Sequence, residues 1–308
     1  MTTDAGAGTS TAMSADASTS KGAGTGTGKD AGKNTNVDAA ADVRGTRIDR
    51  AAALLLQARR HGAATLPQAA QRDQALLASL PADAMPRDLD EAYAIQHAVT
   101  RQLGATIGGW KVAMDDAEHG RSAPLYAPDV LASPATLAPP RATRVGIEPE
   151  IAFRMARSLP PQAGAPYTRA QVVSAIGSAH AAIEVVISRF ATHEGVSMLE
   201  QQADNISNAA LVLGPALSDW QGLSIAALPL RLTFGACTVH QGIGGHPLGD
   251  PLLPLHWLAN HLARHGNGLE AGQVVTTGSC AGLNYLAPGE RAVAAFTGLG
   301  EAVLERSA

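Results

Sequence analysis

From residue 106 onward, the apolar residues of this chain come in short, β-branched stretches broken by Gly, Pro and Asp. They are Thr106–Met114 (TIGGWKVAM), Gly146–Met155 (GIEPEIAFRM), Ala182–Ser188 (AIEVVIS), Leu211–Gly214, Leu230–Phe234, Val274–Thr277 and Val293–Phe296. Stretches of this length between turn formers read as strands. Helical spacing is confined to a few places. Residues 47–60 are closed by Gly62, and Asp90–Leu103 repeats apolar residues at Ala92, Ile95, Ala98, Val99 and Leu103. Arg169 to about Ala179 and Asp250–His265, stopped by Gly266, complete the set. Many short strands with few helices predict one α+β domain, a mixed and strongly bent sheet or roll with flanking helices. Asp115–Pro128 reads as a polar loop, and no internal repeat is present.

Residues 1–46 are of another character. They are Ala, Gly, Thr, Ser and Asp in the main and contain no Leu, Ile, Phe, Tyr or Trp. With almost nothing to bury, the entropy of ordering them goes uncompensated, which predicts a disordered low-complexity tail before a single domain over 47–308. Gly22–Lys29 (GAGTGTGK) superficially resembles a phosphate-binding loop. Asp30 stands where Ser or Thr is needed, no strand precedes it and no helix follows, so nucleotide binding is set aside.

Charge excludes several partners. Lys plus Arg number 23 and Asp plus Glu 27, a net −4, with no basic footprint for nucleic acid or an anionic membrane. No apolar run approaches a membrane span, and the polar N-terminus lacks the apolar core of a signal peptide. Cys237 and Cys280 are the two cysteines, too few for a disulfide framework or a Cys-rich zinc site, which fits the cytoplasm.

The chemistry-bearing residues stand out against this background. Lysine occurs at 21, 29, 33 and 111, so Lys111 is the lone lysine of the expected folded body, where Arg serves at every other basic position. Lys can titrate when desolvated and Arg effectively cannot, so a lone Lys inside IGGWKVAM points to a role that Arg does not fill. The plainer account is a Lys that snorkels to the surface. Glu148 and Glu150, two apart on a strand, share a face. Like charges so placed repel unless a cation lies between them. Pro149 marks an edge or bulge position. Glu184 interrupts an apolar run, where a buried carboxylate requires a metal or a basic partner unless that side of the strand faces water. Oxygen-only ligation suits a hard cation, Mg²⁺ or Mn²⁺. The ten histidines form no spaced zinc motif.

These residues resemble the 2-keto-4-pentenoate hydratase family of the fumarylacetoacetate hydrolase superfamily. The resemblance runs from about Leu54 to Glu305 through GGWKVAM, GIEPEIAF, AAIEVVISRF, ADNISNAALVLG, LGDPLLPLHWLANHLARHGNGLEAGQVVTTGS and AFTGLGEAVLE. It implies the fold of the fumarylacetoacetate hydrolase C-terminal domain. It implies a divalent metal on Glu148, Glu150 and Glu184, with Lys111 in the active site. It also implies a substrate pocket lined by Asn205 and Ser207 and by Thr277, Gly278 and Ser279. The sequence departs from the pattern in one place: the Asp that such hydratases carry is replaced near Arg121 or Ser122. Hydrolase members of the superfamily use a Glu/His pair on a lid, which makes Glu118 and His119 further catalytic candidates, against the plainer account of a solvated loop. The implied activity is hydration of an unsaturated 2-oxo acid in aromatic-compound catabolism. The alternatives are decarboxylation, C–C hydrolysis or a catalytically silent partner subunit. The implied assembly is a homo-oligomer that associates with a related decarboxylase.

Overall fold

In the computed structural model the described residues are 35–62, 76–139, 143–162, 164–192 and 195–308. Helix α1 (Thr35–Gly62) and helix α2 (Leu89–Leu103) come first. They are followed by β1 (Ile107–Met114), β2 (Gly120–Tyr126), β3 (Val130–Ala132), β4 (Ala135–Leu137) and β5 (Val145–Met155). Next come α3 (Arg169–Ala175), β6 (Ile176–Val186), α4 (Met198–Ala203), β7 (Asn208–Leu213), β8 (Pro229–Phe234) and β9 (Cys237–Ile243). The chain ends with α5 (Leu252–Arg264), β10 (Val274–Ser279), β11 (Asn284–Leu286), β12 (Arg291–Phe296) and β13 (Gly300–Arg306). None of the described helices is long and apolar enough to cross a membrane.

Residues 41–308 form one compact unit built on two mixed sheets. The larger runs β2-β1-β10-β5-β6-β7-β3, with β11 also paired to β5. The smaller runs β4-β13-β12-β8-β9. β12 and β13 pack on β6, and most of the buried apolar side chains join one core between the sheets and α5.

The large sheet is rolled. β2 and β7 have four strands between them in the order, yet they touch. Close approach at the centre of the roll dictates one glycine of the GGWK motif: a Cβ on Gly109 would come within 2.1 Å of the Val274 carbonyl on β10. The roll has a largely small and apolar inner face. Leu125, Ala152, Ala182, Leu211 and Val274 are all fully or almost fully buried there. By strand alternation this is also the face of Lys111, Glu148, Glu150, Glu184 and Thr276.

Several boundaries differ from the sequence reading. Helix α1 begins at Thr35, so residues 35–46 of the expected tail are helical. Their Ala-rich run propagates a helix whose downstream half is anchored by the buried Ala51, Ala52 and Leu55. Residues 1–34 of that tail lie outside the described residues. Strand β2 occupies part of the expected loop 115–128: Gly120, Arg121 and Pro124 hide the strand signal, and Pro124 is accommodated because β2 is the sheet's edge. α3 ends at Ala175 and not near 179, since Ile176 already starts β6.

Candidate active site

Four strands deliver the site. Glu148 on β5 lies directly opposite Glu184 on β6, and Glu150 follows two residues along β5. The three carboxylates converge, each offering an oxygen within 4.8 Å of the others. Lys111 reaches them from β1, two strands away from β5. Its Nζ is 2.6 Å from Glu184 Oε1 and donates to the Ile206 carbonyl at 3.1 Å. All four side chains are buried except that of Glu148, which is half-buried.

Pro149 is placed by the ladder. β5 is interior and not at an edge, and the β5–β10 register slips between Thr276 and Ser279 beside this stretch, so the bulge and not the edge accommodates the proline. The slip has a use. Gly278, at φ +112°, turns its N–H onto Glu150 Oε2 at 2.9 Å, and the Thr276 hydroxyl donates to the same oxygen. Glu184 Oε1 also accepts from Asn208 Nδ2 at 2.9 Å.

The segment opposite Lys111 is strained. Asn205, Ile206 and Ser207 follow one another at φ +52°, +49° and +58°. Positive φ is rare outside glycine and most costly for a β-branched residue such as Ile206. The turn is held from both sides. Asn205 Nδ2 donates to the Tyr126 hydroxyl at 3.1 Å, and the Ile187 N–H bonds the Ser207 carbonyl at 2.9 Å. Its product is a carbonyl aimed at Lys111.

The electrostatics are unbalanced. Burial first, and then the neighbouring Glu184 and Glu148, push the Glu150 carboxyl well above the ordinary range. Burial also raises Glu148, with Lys111 partly opposing it. Burial alone would lower Lys111, but Glu184, Glu148 and Glu150 outweigh it and hold the side chain as an ammonium. Three carboxylates therefore face one cation. Glu148 and Glu150 have no cationic partner within ion-pair distance among the described residues. A divalent cation fits this donor set: it is all oxygen, carries excess negative charge and already converges.

The other sequence candidates are placed differently. Asn205 and Ser207 frame the strained turn. Gly278 serves Glu150 through its backbone. Thr277 points the other way along β10, its hydroxyl bound to the Ile151 carbonyl at 2.9 Å, and Ser279 bonds the Gly282 carbonyl at 3.0 Å within its own turn. Glu118 and His119 sit in the exposed turn between β1 and β2, apart from the carboxylate cluster. His119 pairs with Asp116 at 2.9 Å. The backbone N–H of Glu118, with the His119 ring, pulls Asp116 down to about 2, and Asp116 in turn raises His119. Glu118 and His119 line an open groove of about 590 Å³ together with Tyr93, Trp110, Trp257 and His261. Trp110 alternates with Lys111 on β1, so that wall belongs to the opposite face of the sheet. Sequence reasoning missed Thr276, Asn208 and the Ile206 carbonyl. For Thr276 the signal was available, since counting in twos along β10 from the buried Val274 reaches Thr276 and not Thr277.

The model of the fumarylacetoacetate (FAA) hydrolase C-terminal family matches residues 86–304. 2-keto-4-pentenoate hydratase 2 of Dechloromonas aromatica (strain RCB) is 30% identical over 250 residues, covering 77% of this chain and 94% of that protein. The chain belongs to the 2-keto-4-pentenoate hydratase family. A further relative in the family, a 2-keto-4-pentenoate hydratase of Paraburkholderia xenovorans (strain LB400), is 27% identical over 66% of this chain and 78% of its own length. The fold is shared with 4-oxalocrotonate decarboxylase from Pseudomonas putida G7, solved with magnesium and adipate. That match has a TM-score of 0.63 and 22% identity, covering 71% of this chain and 86% of the other.

Proposed function

We propose that this family member is a metal-dependent hydratase that adds water across the C=C bond of an unsaturated 2-oxo acid of the 2-hydroxypenta-2,4-dienoate type, in the breakdown of aromatic compounds. The observation that carries the reading is the convergence of Glu148, Glu150 and Glu184 beside the Lys111 ammonium. The names of the hydratase relatives support the reaction, and the magnesium named with the decarboxylase supports a divalent ion.

Glu148, Glu150 and Glu184 would hold Mg²⁺ or Mn²⁺. When bound, such an ion supplies Lewis-acid polarisation of a chelated carboxylate and 2-oxo group. The chain's own residues do the rest. Thr276 and Gly278 fix Glu150, and Asn208 fixes Glu184, so both carboxylates are oriented before anything binds. An ammonium has three N–H donors. Glu184 and the Ile206 carbonyl take two of those of Lys111, which leaves one for the substrate. Held as a cation, Lys111 stabilises enolate charge next to it, passes a proton to the carbon chain and regains one from the water whose hydroxyl adds to the chain. The buried inner-face residues Ala152, Ala182, Leu211 and Val274 share the face of the carboxylates and limit water there.

The test is turnover of a panel of unsaturated 2-oxo acids, with and without Mg²⁺, by the wild type and Glu150→Gln. Mg²⁺-dependent hydration lost in Glu150→Gln is expected. Decarboxylation or C–C cleavage in its place would replace the reaction while keeping the site. Metal binding without turnover of any acid would favour a silent partner subunit.

A further inference from the structure

Among the described residues, Arg121 carries a charge that the site described above does not use. Its Nε and Nη1 are buried and have no hydrogen-bond partner among the described residues. A buried guanidinium without a partner is costly, since it loses hydration and gains nothing for it. Its place in the sheet is informative. β1 and β2 pair Lys111 with Ala123 and Ala113 with Arg121, so Arg121 projects from the same face as Lys111. As a diagonal neighbour, its Cα lies roughly 7–8 Å from that of Lys111. Arg121 also lines the groove of about 590 Å³, beside Gly120 and Ser122. Of these three residues, Arg121 is the one that shares the Lys111 face.

Arg121 acts on the Tyr93 hydroxyl through its charge, without a hydrogen bond between them. The Ser122 N–H, on the free edge of β2, donates to the Tyr93 hydroxyl at 3.0 Å, and its carbonyl accepts from Gln202 Nε2 at 2.9 Å. The edge is thus closed by α2 and α4 without help from the arginine. The acidic side chains of the β1–β2 turn do not pair with it either: Asp116 is taken by His119. The preferred partner of a guanidinium fork is a planar carboxylate, bound bidentately.

We infer that Arg121 is a specificity-determining, substrate-binding residue that takes a second carboxylate, at the far end of a 2-oxo acid whose first carboxylate and 2-oxo group lie at the three glutamates. The preferred substrate is then an unsaturated 2-oxo acid of the class proposed above that is extended by a second carboxylate at its far end, which the 2-keto-4-pentenoate in the relatives' names lacks. This inference rests on the metal-site reading above and deepens it. Lys111 at the centre and Arg121 at the rim divide the work. The first serves the reacting end of the chain. The second sets the length and charge of the ligand that fits.

Binding of two saturated, unreactive acids in Mg²⁺, measured by titration calorimetry, tests this. 2-Oxoadipate carries the second carboxylate and 2-oxopentanoate lacks it. The wild type is expected to bind 2-oxoadipate about 10–100-fold more tightly, the range of one charge-assisted pair. Arg121→Gln should bring the two acids within about 3-fold of each other, leaving 2-oxopentanoate unchanged, and Arg121→Lys should fall between because it keeps charge and loses the fork. Equal wild-type affinities for the two acids, or Arg121→Gln weakening both alike, overturns the assignment while leaving the metal site standing. Binding of neither acid, with no effect of Mg²⁺ alone on melting temperature, overturns the metal-site reading and this inference with it. If Arg121→Gln does not fold, the wild-type comparison and Arg121→Lys still decide.

Discussion

Lys111 Nζ lies 2.6 Å from Glu184 Oε1 although their strands, β1 and β6, are separated by β10 and β5. In a flat sheet three strand spacings amount to roughly 14 Å. The contact therefore depends on the roll as well as on two long side chains reaching inward. Curvature is what turns residues spread along 74 positions of sequence, from 111 to 184, into one site.

The three glutamates keep Lys111 protonated, and in the function proposed above its part is that of a donor. Lys111→Ala and Lys111→Arg should both lose about 10²–10⁴-fold in turnover, the usual range for general acid–base groups. Arg keeps the charge but adds bulk in a buried slot and cannot give up a proton. Mg²⁺ affinity should change far less than turnover, since Lys is no ligand. Lys111→Arg with most of its rate intact would reduce the residue to a counter-charge, and a near-normal Lys111→Ala would remove it from the chemistry.

The glutamate cluster makes an unusual stability prediction. Glu150→Gln removes a carboxylate whose charged form is disfavoured by burial and by two like charges. The metal-free variant should therefore melt no lower than the metal-free wild type, and by a few degrees higher if the relief is about 1 kcal/mol. Mg²⁺ should reverse the order. At a concentration of about 100 Kd, a ligand that binds only the folded state adds about 2.7 kcal/mol to the wild type, and the variant should gain little. Thermal melts with EDTA and with Mg²⁺ read both effects. A wild-type melting temperature indifferent to millimolar Mg²⁺ would end the metal assignment.

The strained turn yields a third prediction. Ile206 at φ +49° contributes its carbonyl and not its side chain to Lys111. Ile206→Gly relieves roughly 1–2 kcal/mol of left-handed strain and gives back about 0.5–1 kcal/mol in chain entropy, so stability and turnover should stay near wild type. Ile206→Pro fixes φ near −65°, which this turn does not accept, and should cost about 3 kcal/mol or more along with the activity. Denaturant melts and initial rates check both. An active Ile206→Pro would mean that the carbonyl does not position Lys111.

The three converging glutamates and the lysine are legible in sequence because each breaks a local rule. Glu184 interrupts an apolar strand, Glu148 and Glu150 crowd one face, and Lys111 is a lone lysine among arginines. Strand alternation and residue type carry those signals without any knowledge of topology. What was not legible depends on partners remote in sequence. Thr276 matters because a register slip near Ser279 brings it to Glu150, and the Ile206 carbonyl matters because three consecutive residues take a left-handed turn that no glycine announces. β2 was read as loop because its Gly, Arg and Pro suit an edge closed by Tyr93 and Gln202, two residues on helices. Glu118 and His119 satisfy a pattern of residue types, and the structure places both in the exposed turn between β1 and β2.

The last prediction concerns the entry to the domain, where α1 meets α2. Arg47 is 5% exposed, and its Nη2 and Nε both donate to Glu91, the latter at 3.2 Å. Glu91 also accepts the Arg87 N–H at 2.9 Å and lies 3.5 Å from Arg44. Burial alone would raise Glu91, but the hydrogen bond from Arg47, followed by the Arg87 N–H and the charges of Arg47 and Arg44, brings it below the ordinary 4.5. A depressed carboxylate stabilises the fold above its unfolded pKa, and that contribution is lost as pH falls through the folded value. Glu91→Gln leaves Arg47 buried and uncompensated, so at pH 7 it should cost roughly 3–5 kcal/mol. The gap between wild type and Glu91→Gln should then narrow as pH falls from about 4.5 through the lower folded value, where the wild-type carboxylate also becomes neutral. Deleting residues 1–34 should leave the melting temperature in place, whereas deleting through Arg47 should cost at least as much as Glu91→Gln. Urea midpoints at pH 7 and at about pH 3.5 make the comparison. A gap of constant size across that range would show that the loss in Glu91→Gln is one of packing and not of charge.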